Sequence, residues 1–313
     1  MHFHGPVIRP QTDADSLFIE VTGGCTHNAC TFCNFYRDTP LRVAPLSQIE
    51  EDFKEEKREY PDARQIWAPG YSLFTLSVEK QIAVWDLMRR YFPKVRISTY
   101  AIVSDPRDKT AEDIRRIRTH GLDEIMIGIE SGDDEVLSFV NKGYTAQDIL
   151  DAGQELDEAG MTYRMIYLGG VAGKGKLKES AKKSADLFNR IHPYYMMLTN
   201  VAVLPGTKMQ RGEWTEPSER ERIEEIRTLI ANLTIPITVN TGTSASCVQF
   251  EATLPKDRED ILRGLDEVLQ RFDDRTYGPN PGSRAIRVYD GIDRRLTMDD
   301  FFEKHALCSG SQQ

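Results

Sequence analysis

Residues 16–33 read SLFIEVTGGCTHNACTFC, and the interpretation of the fold starts from this stretch. The apolar run Leu17–Val21 predicts a β-strand, which Cys25, Cys30 and Cys33 follow closely with the spacing C-x4-C-x2-C. Three thiolates on one loop can hold three irons of a four-iron, four-sulfur (4Fe–4S) cluster. Because no fourth cysteine is close in sequence, one iron would stay open to an external ligand.

Other chemistry can use the same cysteines. A plant-type ferredoxin has this spacing but needs a fourth cysteine, and Cys247 and Cys308 lie far downstream. A ferredoxin also leaves the long α/β chain unexplained. A zinc site with His27 as fourth ligand is possible, although His27 lies between the cysteines rather than in a second ligand pair. Inert thiols are the remaining alternative.

The composition is that of a folded globular protein. Of 313 residues, 40% are hydrophobic and 28% are charged, which excludes a disordered or fibrous chain. The net charge of −9 gives no general attraction to phosphate backbones, so nucleic acid is not an expected partner. The N-terminus lacks leader-peptide features and no window reaches the length of a membrane span, so we expect a cytoplasmic protein without membrane contact. Five cysteines, three of them clustered, do not suit a secreted disulfide framework.

Apolar runs alternate with segments of helical periodicity from Ser16 onward, as in parallel strands joined by crossover helices. The predicted strands are Leu17–Val21, Gln65–Ala68, Arg96–Ala101, Glu124–Ile129, Thr162–Leu168 and Tyr195–Val203. The predicted helices are Leu46–Glu59, Ser77–Tyr91, Thr110–His120, Thr145–Gly160 and Leu177–Ile191. Strand–helix units with right-handed crossovers predict an α/β fold, a partial (β/α)6 TIM-type barrel.

The chain divides into three predicted parts. A lead-in (1–15) precedes the core barrel (16–209), and a mixed α+β C-terminal extension (210–313) follows a change of composition after Pro205-Gly206-Thr207. In a barrel of this kind the active site lies at the carboxyl ends of the strands. We expect the extension to pack on the core.

Beyond the cysteines, the sequence resembles the radical S-adenosylmethionine (SAM) superfamily, in its Elp3/MiaB/NifB-type group. The similar segments include Val21–Cys25, Asn28–Tyr36, Tyr100-Ala101, Gly128–Gly132, Asn141-Lys142-Gly143 and Pro205-Gly206-Thr207. The resemblance covers about residues 5–210 and continues more weakly to about residue 270.

The resemblance implies a radical SAM enzyme. Such an enzyme binds SAM at the open iron of the 4Fe–4S cluster and cleaves it reductively to a 5′-deoxyadenosyl radical, which abstracts hydrogen from a substrate that the sequence does not identify. It also implies a flavodoxin- or ferredoxin-type reductant. Two alternatives stay open: a cluster-bearing electron-transfer protein without SAM cleavage, and a radical SAM methyl- or methylthio-transferase.

Five residues are expected to contact SAM, most of them through the resemblance. Phe32 is placed against the adenine, with core filling as its alternative. Gly70 would let backbone carbonyls receive the SAM amino group, and Glu130 would accept hydrogen bonds from the ribose. Arg164, inside an apolar strand, would pair with the SAM carboxylate or with Glu130. Ser98 would line the same pocket, and no catalytic side chain is assigned.

Three further features bear on function. Gly169-Gly170 follows the fifth predicted strand and is expected to let SAM come close. Thr241–Ser246 stands where relatives carry a stretch containing histidine. The absence of that histidine here predicts a different substrate, or a loss of activity at that loop, if the loop touches substrate in the relatives. Cys247, among apolar neighbours, is expected to be a buried small hydrophobe, and Cys308 receives no role.

Overall fold

The computed structural model describes residues 1–70, 73–212 and 214–272, together with the backbone of 286–287. Its strands are β1 Leu17–Phe18, β2 Thr22–Gly23, β3 Arg42–Val43, β4 Gln65–Ala68, β5 Arg96–Ala101, β6 Glu124–Glu130, β7 Thr162–Gly169, β8 Tyr195–Asn200, β9 Ile237–Asn240, β10 Val248–Gln249, β11 Glu251–Leu254 and β12 Ile286–Arg287. Its helices are α1 Leu46–Glu59, α2 Val78–Tyr91, α3 Ser104–Arg107, α4 Ala111–Thr119, α5 Asp134–Phe139, α6 Ala146–Ala159, α7 Leu177–Phe188, α8 Glu219–Asn232 and α9 Arg258–Arg271.

Eight strands form the main sheet in the order β1-β4-β5-β6-β7-β8-β9-β11. Neighbouring strands are parallel up to β9, and β11 pairs antiparallel with β9. Helices connect the successive parallel strands, which confirms the predicted α/β fold class. Because β9 and β11 lie beyond residue 209, the sheet crosses the predicted boundary between core and extension, and that boundary stays a prediction.

The first predicted strand, Leu17–Val21, is wrong at its carboxyl end. Only Leu17–Phe18 pairs with β4, and Thr22–Gly23 instead forms a short antiparallel ladder with Arg42–Val43. The chain leaves the main sheet between these two pairings. This change of partner carries the cysteine loop above the carboxyl edge of the barrel.

Capping residues fix several helix starts. The Ser77 side chain accepts a hydrogen bond from the backbone of Lys80, and Thr145 forms a reciprocal capping box with Asp148. Gly160 ends α6 in the left-handed conformation, with φ of 67°. Among the described residues, no helix combines the length and the apolar character needed to span a membrane.

Large apolar side chains fill the middle of the barrel. Phe18, Trp67, Tyr100, Met126 and Ile166 form one buried cluster, with the ring centroids of Trp67 and Tyr100 4.9 Å apart. A separate, larger cluster lies between the sheet and its helices. The interior is therefore packed at this level, and polar side chains are left to its two ends.

The lead-in packs along the barrel. The backbone N–H of His4 donates to Glu20 at 2.8 Å, and the Asp13 carboxylate accepts from Arg164 at 2.7 Å. Between these contacts, Val7 packs against the interior cluster. These contacts thus hold the lead-in against the barrel.

Candidate functional site

The cysteine loop directly follows β2, at the carboxyl edge of the sheet. Gly24 opens it with φ of 82°, and an added Cβ there would crowd the backbone at Pro40 and Leu41. Cys25, Cys30 and Cys33 are free and partly exposed. Three thiols thus face the end of the barrel where active sites of this architecture lie.

A connector between α5 and α6 holds the loop in place. The Thr31 backbone N–H donates to the Val140 carbonyl at 3.0 Å, and the Asn141 side chain donates to the Ala29 carbonyl at 2.9 Å. The His27 ring nitrogen Nε2 lies 2.5 Å from the Asn141 carbonyl oxygen. His27 therefore links the loop to the connector, a structural role different from the zinc ligand considered for it above.

Burial disfavours the thiolate form of two of the cysteines. It raises the pKa of Cys30 to about 11, against the opposing charge of Lys142, and it also raises the pKa of Cys33. A metal that binds these sulfurs must displace their protons. Within the described residues, no three His, Cys, Asp or Glu side chains already stand at metal-ligand spacing.

Glu130 ends β6 beside this loop and pairs with a buried lysine. Its backbone is left-handed, with φ of 69°, and its carboxylate accepts from Lys142 Nζ at 3.1 Å. A Cβ on Gly128 would lie 2.8 Å from that carboxylate, so glycine leaves room for the side chain to fold back. The predicted alternative in which Arg164 pairs with Glu130 is wrong, because the Arg164 side chain binds Glu124 and Asp13 instead.

Lys142 is the site residue that the sequence did not single out. Its ammonium is buried, 5.8 Å above the Phe32 ring centroid and 5.4 Å above that of Tyr144. Burial alone lowers a lysine pKa, but Tyr144, Glu130 and Cys30 raise the pKa of Lys142 well above its usual value. Its position in an Asn-Lys-Gly turn after a short helix was the available signal, and such turns are usually exposed.

Phe32 occupies the same region with one side accessible. It is partly buried and packs against an apolar cluster at the carboxyl ends of β7 and β8, which comprises Val136, Val140, Leu168, Val171, Val201 and Met209. This contact matches the alternative of core filling. Since the ring is not fully buried, its predicted adenine contact stays a prediction.

Gly70 follows β4 and has φ of 107°. An added Cβ would overlap the carbonyl oxygen of Thr22, so the glycine lets β4 approach β2 closely. The Thr22 hydroxyl is buried there, and no described residue forms a hydrogen bond with it. Tyr71 and Ser72, which complete the motif around Gly70, lie outside the described residues.

Ser98 and Arg164 lie at the opposite end of the barrel from the cysteine loop. Arg164 is the third residue of β7, and its Nε donates to Glu124, the first residue of β6, at 2.9 Å. Ser98 donates to the same carboxylate at 3.2 Å, and Asp13 completes the group. The structure therefore separates these two residues from the cysteines, Glu130 and Phe32.

The glycine pair Gly169-Gly170, at the carboxyl end of β7, also has a structural partner. The Gly170 N–H donates at 2.7 Å to Glu225 of α8, which also accepts from the Tyr167 hydroxyl at 2.8 Å. This contact ties the end of β7 to the extension, which the sequence did not reveal. Cys247 is buried as expected, and Cys308 lies outside the described residues.

Comparison with known proteins identifies the family. A sequence-family model, described as the radical SAM superfamily, matches residues 19–188, more than half of the chain. The heme chaperone HemW of Bacillus subtilis (strain 168) is 20% identical over 210 residues, which are 64% of this chain and 55% of HemW. The chain thus spans about half the length of that curated relative.

Solved structures share the fold. Methylornithine synthase (PylB) superposes with a TM-score of 0.51 and 14% identity, covering 94% of this chain and 81% of PylB. Coproporphyrinogen III oxidase (HemN) from Escherichia coli, described as a radical SAM enzyme, gives a TM-score of 0.51 and 18% identity, covering 69% of this chain and 51% of HemN. These structures show the shared fold, and the family match over the cysteine loop and the strands that follow it shows that the chain belongs to the radical SAM superfamily.

Proposed function

We propose that this chain binds a 4Fe–4S cluster through Cys25, Cys30 and Cys33 and uses it to cleave SAM reductively. Members of the radical SAM superfamily bind this cluster and SAM. The observation that carries the proposal is the cysteine loop, with three partly exposed thiols fastened at the carboxyl edge of the barrel. Three cysteines leave one of the four irons without a protein ligand, and SAM needs such an open iron to bind.

The residues around the loop fit both groups. The donor set consists of soft sulfur ligands, which suit iron–sulfur clusters. Among the described residues, the buried hydroxyls of Thr22 and Thr31 find no hydrogen-bond partner; the first lies beside Gly70 and the second inside the loop. Buried hydroxyls without partners are costly, so a polar ligand that satisfies them supports the proposal.

Each side chain then has a defined task. When bound, the cluster and SAM supply a 5′-deoxyadenosyl radical, which abstracts hydrogen from substrate. Glu130 offers a carboxylate for the ribose hydroxyls, Phe32 offers a flat apolar ring for the adenine, and Gly70, without a side chain, would let backbone carbonyls receive the SAM amino group. The proposal does not include Ser98 and Arg164, because Glu124 holds their side chains at the opposite end.

The partners remain those that the sequence predicts. We propose a flavodoxin- or ferredoxin-type reductant and a cytoplasmic location, and we expect no nucleic acid as substrate because the chain carries a net charge of −9. The substrate is left open. The names of the relatives describe those proteins, and no contact in this site favours their substrates.

Anaerobic reconstitution with iron and sulfide, followed by a dithionite-driven assay for 5′-deoxyadenosine, tests the proposal. Wild-type protein should bind one 4Fe–4S cluster and release 5′-deoxyadenosine from SAM, whereas Cys30→Ala should do neither. Cys247→Ala is the matched control, because that thiol is buried in the core and should not affect the cluster. A loaded cluster without 5′-deoxyadenosine would instead favour the electron-transfer alternative.

A further inference from the structure

Lys142 places a positive charge inside the wall of the cysteine loop. Its side chain is buried, and its ammonium contacts the Glu130 carboxylate at 3.1 Å and the faces of Phe32 and Tyr144. A lysine is almost never buried unless it is paired, and here the ammonium lies over the ring of Phe32, the residue directly before Cys33 and two after Cys30. The site therefore contains a fixed ammonium next to a cluster ligand.

The backbone around Lys142 fixes this position. Asn141 has left-handed φ of 54° and donates to the Ala29 carbonyl inside the cysteine loop, while the Lys142 N–H donates to the Leu137 carbonyl at 3.0 Å. His27 packs against Gly143, directly after the lysine. Contacts on both sides of residue 142 thus couple the lysine to the loop that carries the cysteines.

A buried ammonium acts differently on the two oxidation states of a cluster. One electron from an external donor reduces the cluster from the 2+ to the 1+ state, so the cluster and its thiolates gain one negative charge. The attraction between an ammonium and that added charge is strong where water is excluded. Net charge and nearby electrostatic contacts are among the factors that set cluster potentials.

We propose that Lys142 is a positioning residue that raises the reduction potential of the cluster, with Glu130 as the counter-charge that limits the effect. The inference rests on the proposed function only in that the three cysteines hold a 4Fe–4S cluster. It assigns to an Asn-Lys-Gly turn the electrostatic control of a step that precedes SAM cleavage. Lys142 needs no contact with substrate for this role.

The test is a redox titration of the reconstituted cluster without SAM, followed by electron paramagnetic resonance of the reduced state. Lys142→Met removes the charge and should shift the midpoint potential to a more negative value, while Lys142→Arg should stay near wild type. Glu130→Gln leaves the ammonium uncompensated and should shift the potential in the positive direction. Lys178→Met is the control, because this exposed lysine on α7 should not change the potential.

The outcomes separate this inference from the proposed function. A wild-type protein that holds no cluster would contradict the proposed function. A cluster-loaded Lys142→Met with unchanged potential would overturn the role of Lys142. If Lys142→Met does not retain a cluster, Glu130→Gln decides the matter, because the absence of a positive shift in that variant overturns the inference.

Discussion

Replacing Arg164 by methionine should destabilise the fold and leave SAM binding intact. The guanidinium is 4% exposed and donates to Glu124 and to Asp13, whose carboxylates are also buried. Removing one member of a buried ion pair typically costs about 3–5 kcal/mol, because it leaves uncompensated charge. Arg96 still contacts Glu124, so we expect the lower end, about 3 kcal/mol.

Urea unfolding followed by circular dichroism measures this loss, and isothermal titration of SAM into the reconstituted protein measures affinity. Arg96→Met is the matched control: it touches the same carboxylate but is 42% exposed, so it should cost about 1 kcal/mol or less. Glu124→Gln combined with Arg164→Met should recover part of the loss, since the buried Glu124 charge is then removed and only Asp13 has lost its partner. A loss under about 1 kcal/mol together with tenfold weaker SAM binding would refute the structural role and restore the predicted carboxylate contact.

Two other changes follow from the structure. Gly70→Ala should lower the yield of folded protein, because the added Cβ would overlap the Thr22 carbonyl and Gly70 has a φ of 107°. Size-exclusion chromatography measures that yield. Gly206→Ala is the control that separates steric overlap from backbone strain, because Gly206 also has a positive φ but lies in open space. Burial raises the pKa of Glu225 to about 7 from 4.5, so its contribution to stability is complete below about pH 4.5 and falls by about 3 kcal/mol as the pH rises to about 7. Glu225→Gln should remove this slope from the urea unfolding free energy measured between pH 5 and 8, and an unchanged slope would contradict the assignment.

Much of the fold follows from local patterns. Gln65–Ala68 and Arg96–Ala101 were predicted with the observed bounds, because apolar runs between turns are read directly from sequence. The strand prediction failed after Phe18, because Thr22–Gly23 pairs with Arg42–Val43, a strand that is only two residues long. Short pairings of this kind carry almost no periodic signal.

The site was harder to predict than the fold. Burial of Arg164 implied an acidic partner, but Asp13 and Glu124 are distant in sequence, so no local pattern distinguished them from Glu130. Lys142 was missed for a similar reason. Its burial depends on a connector that folds against the cysteine loop, and turn composition alone gives no sign of that contact.

A layer of buried aromatic and aliphatic side chains closes the barrel interior beneath the cysteine loop. Phe18, Trp67, Tyr100 and Met126 fill the interior between the cysteine end and the cluster of charges around Glu124. A molecule that reaches the cysteine end must therefore approach from beyond the carboxyl ends of the strands, and Tyr100 and Met126 limit how deeply it can enter the barrel. Exchanging these side chains for smaller ones would enlarge the space beneath the cysteine loop, and under the proposed function it would alter the size of molecule accepted without any change to the three cysteines.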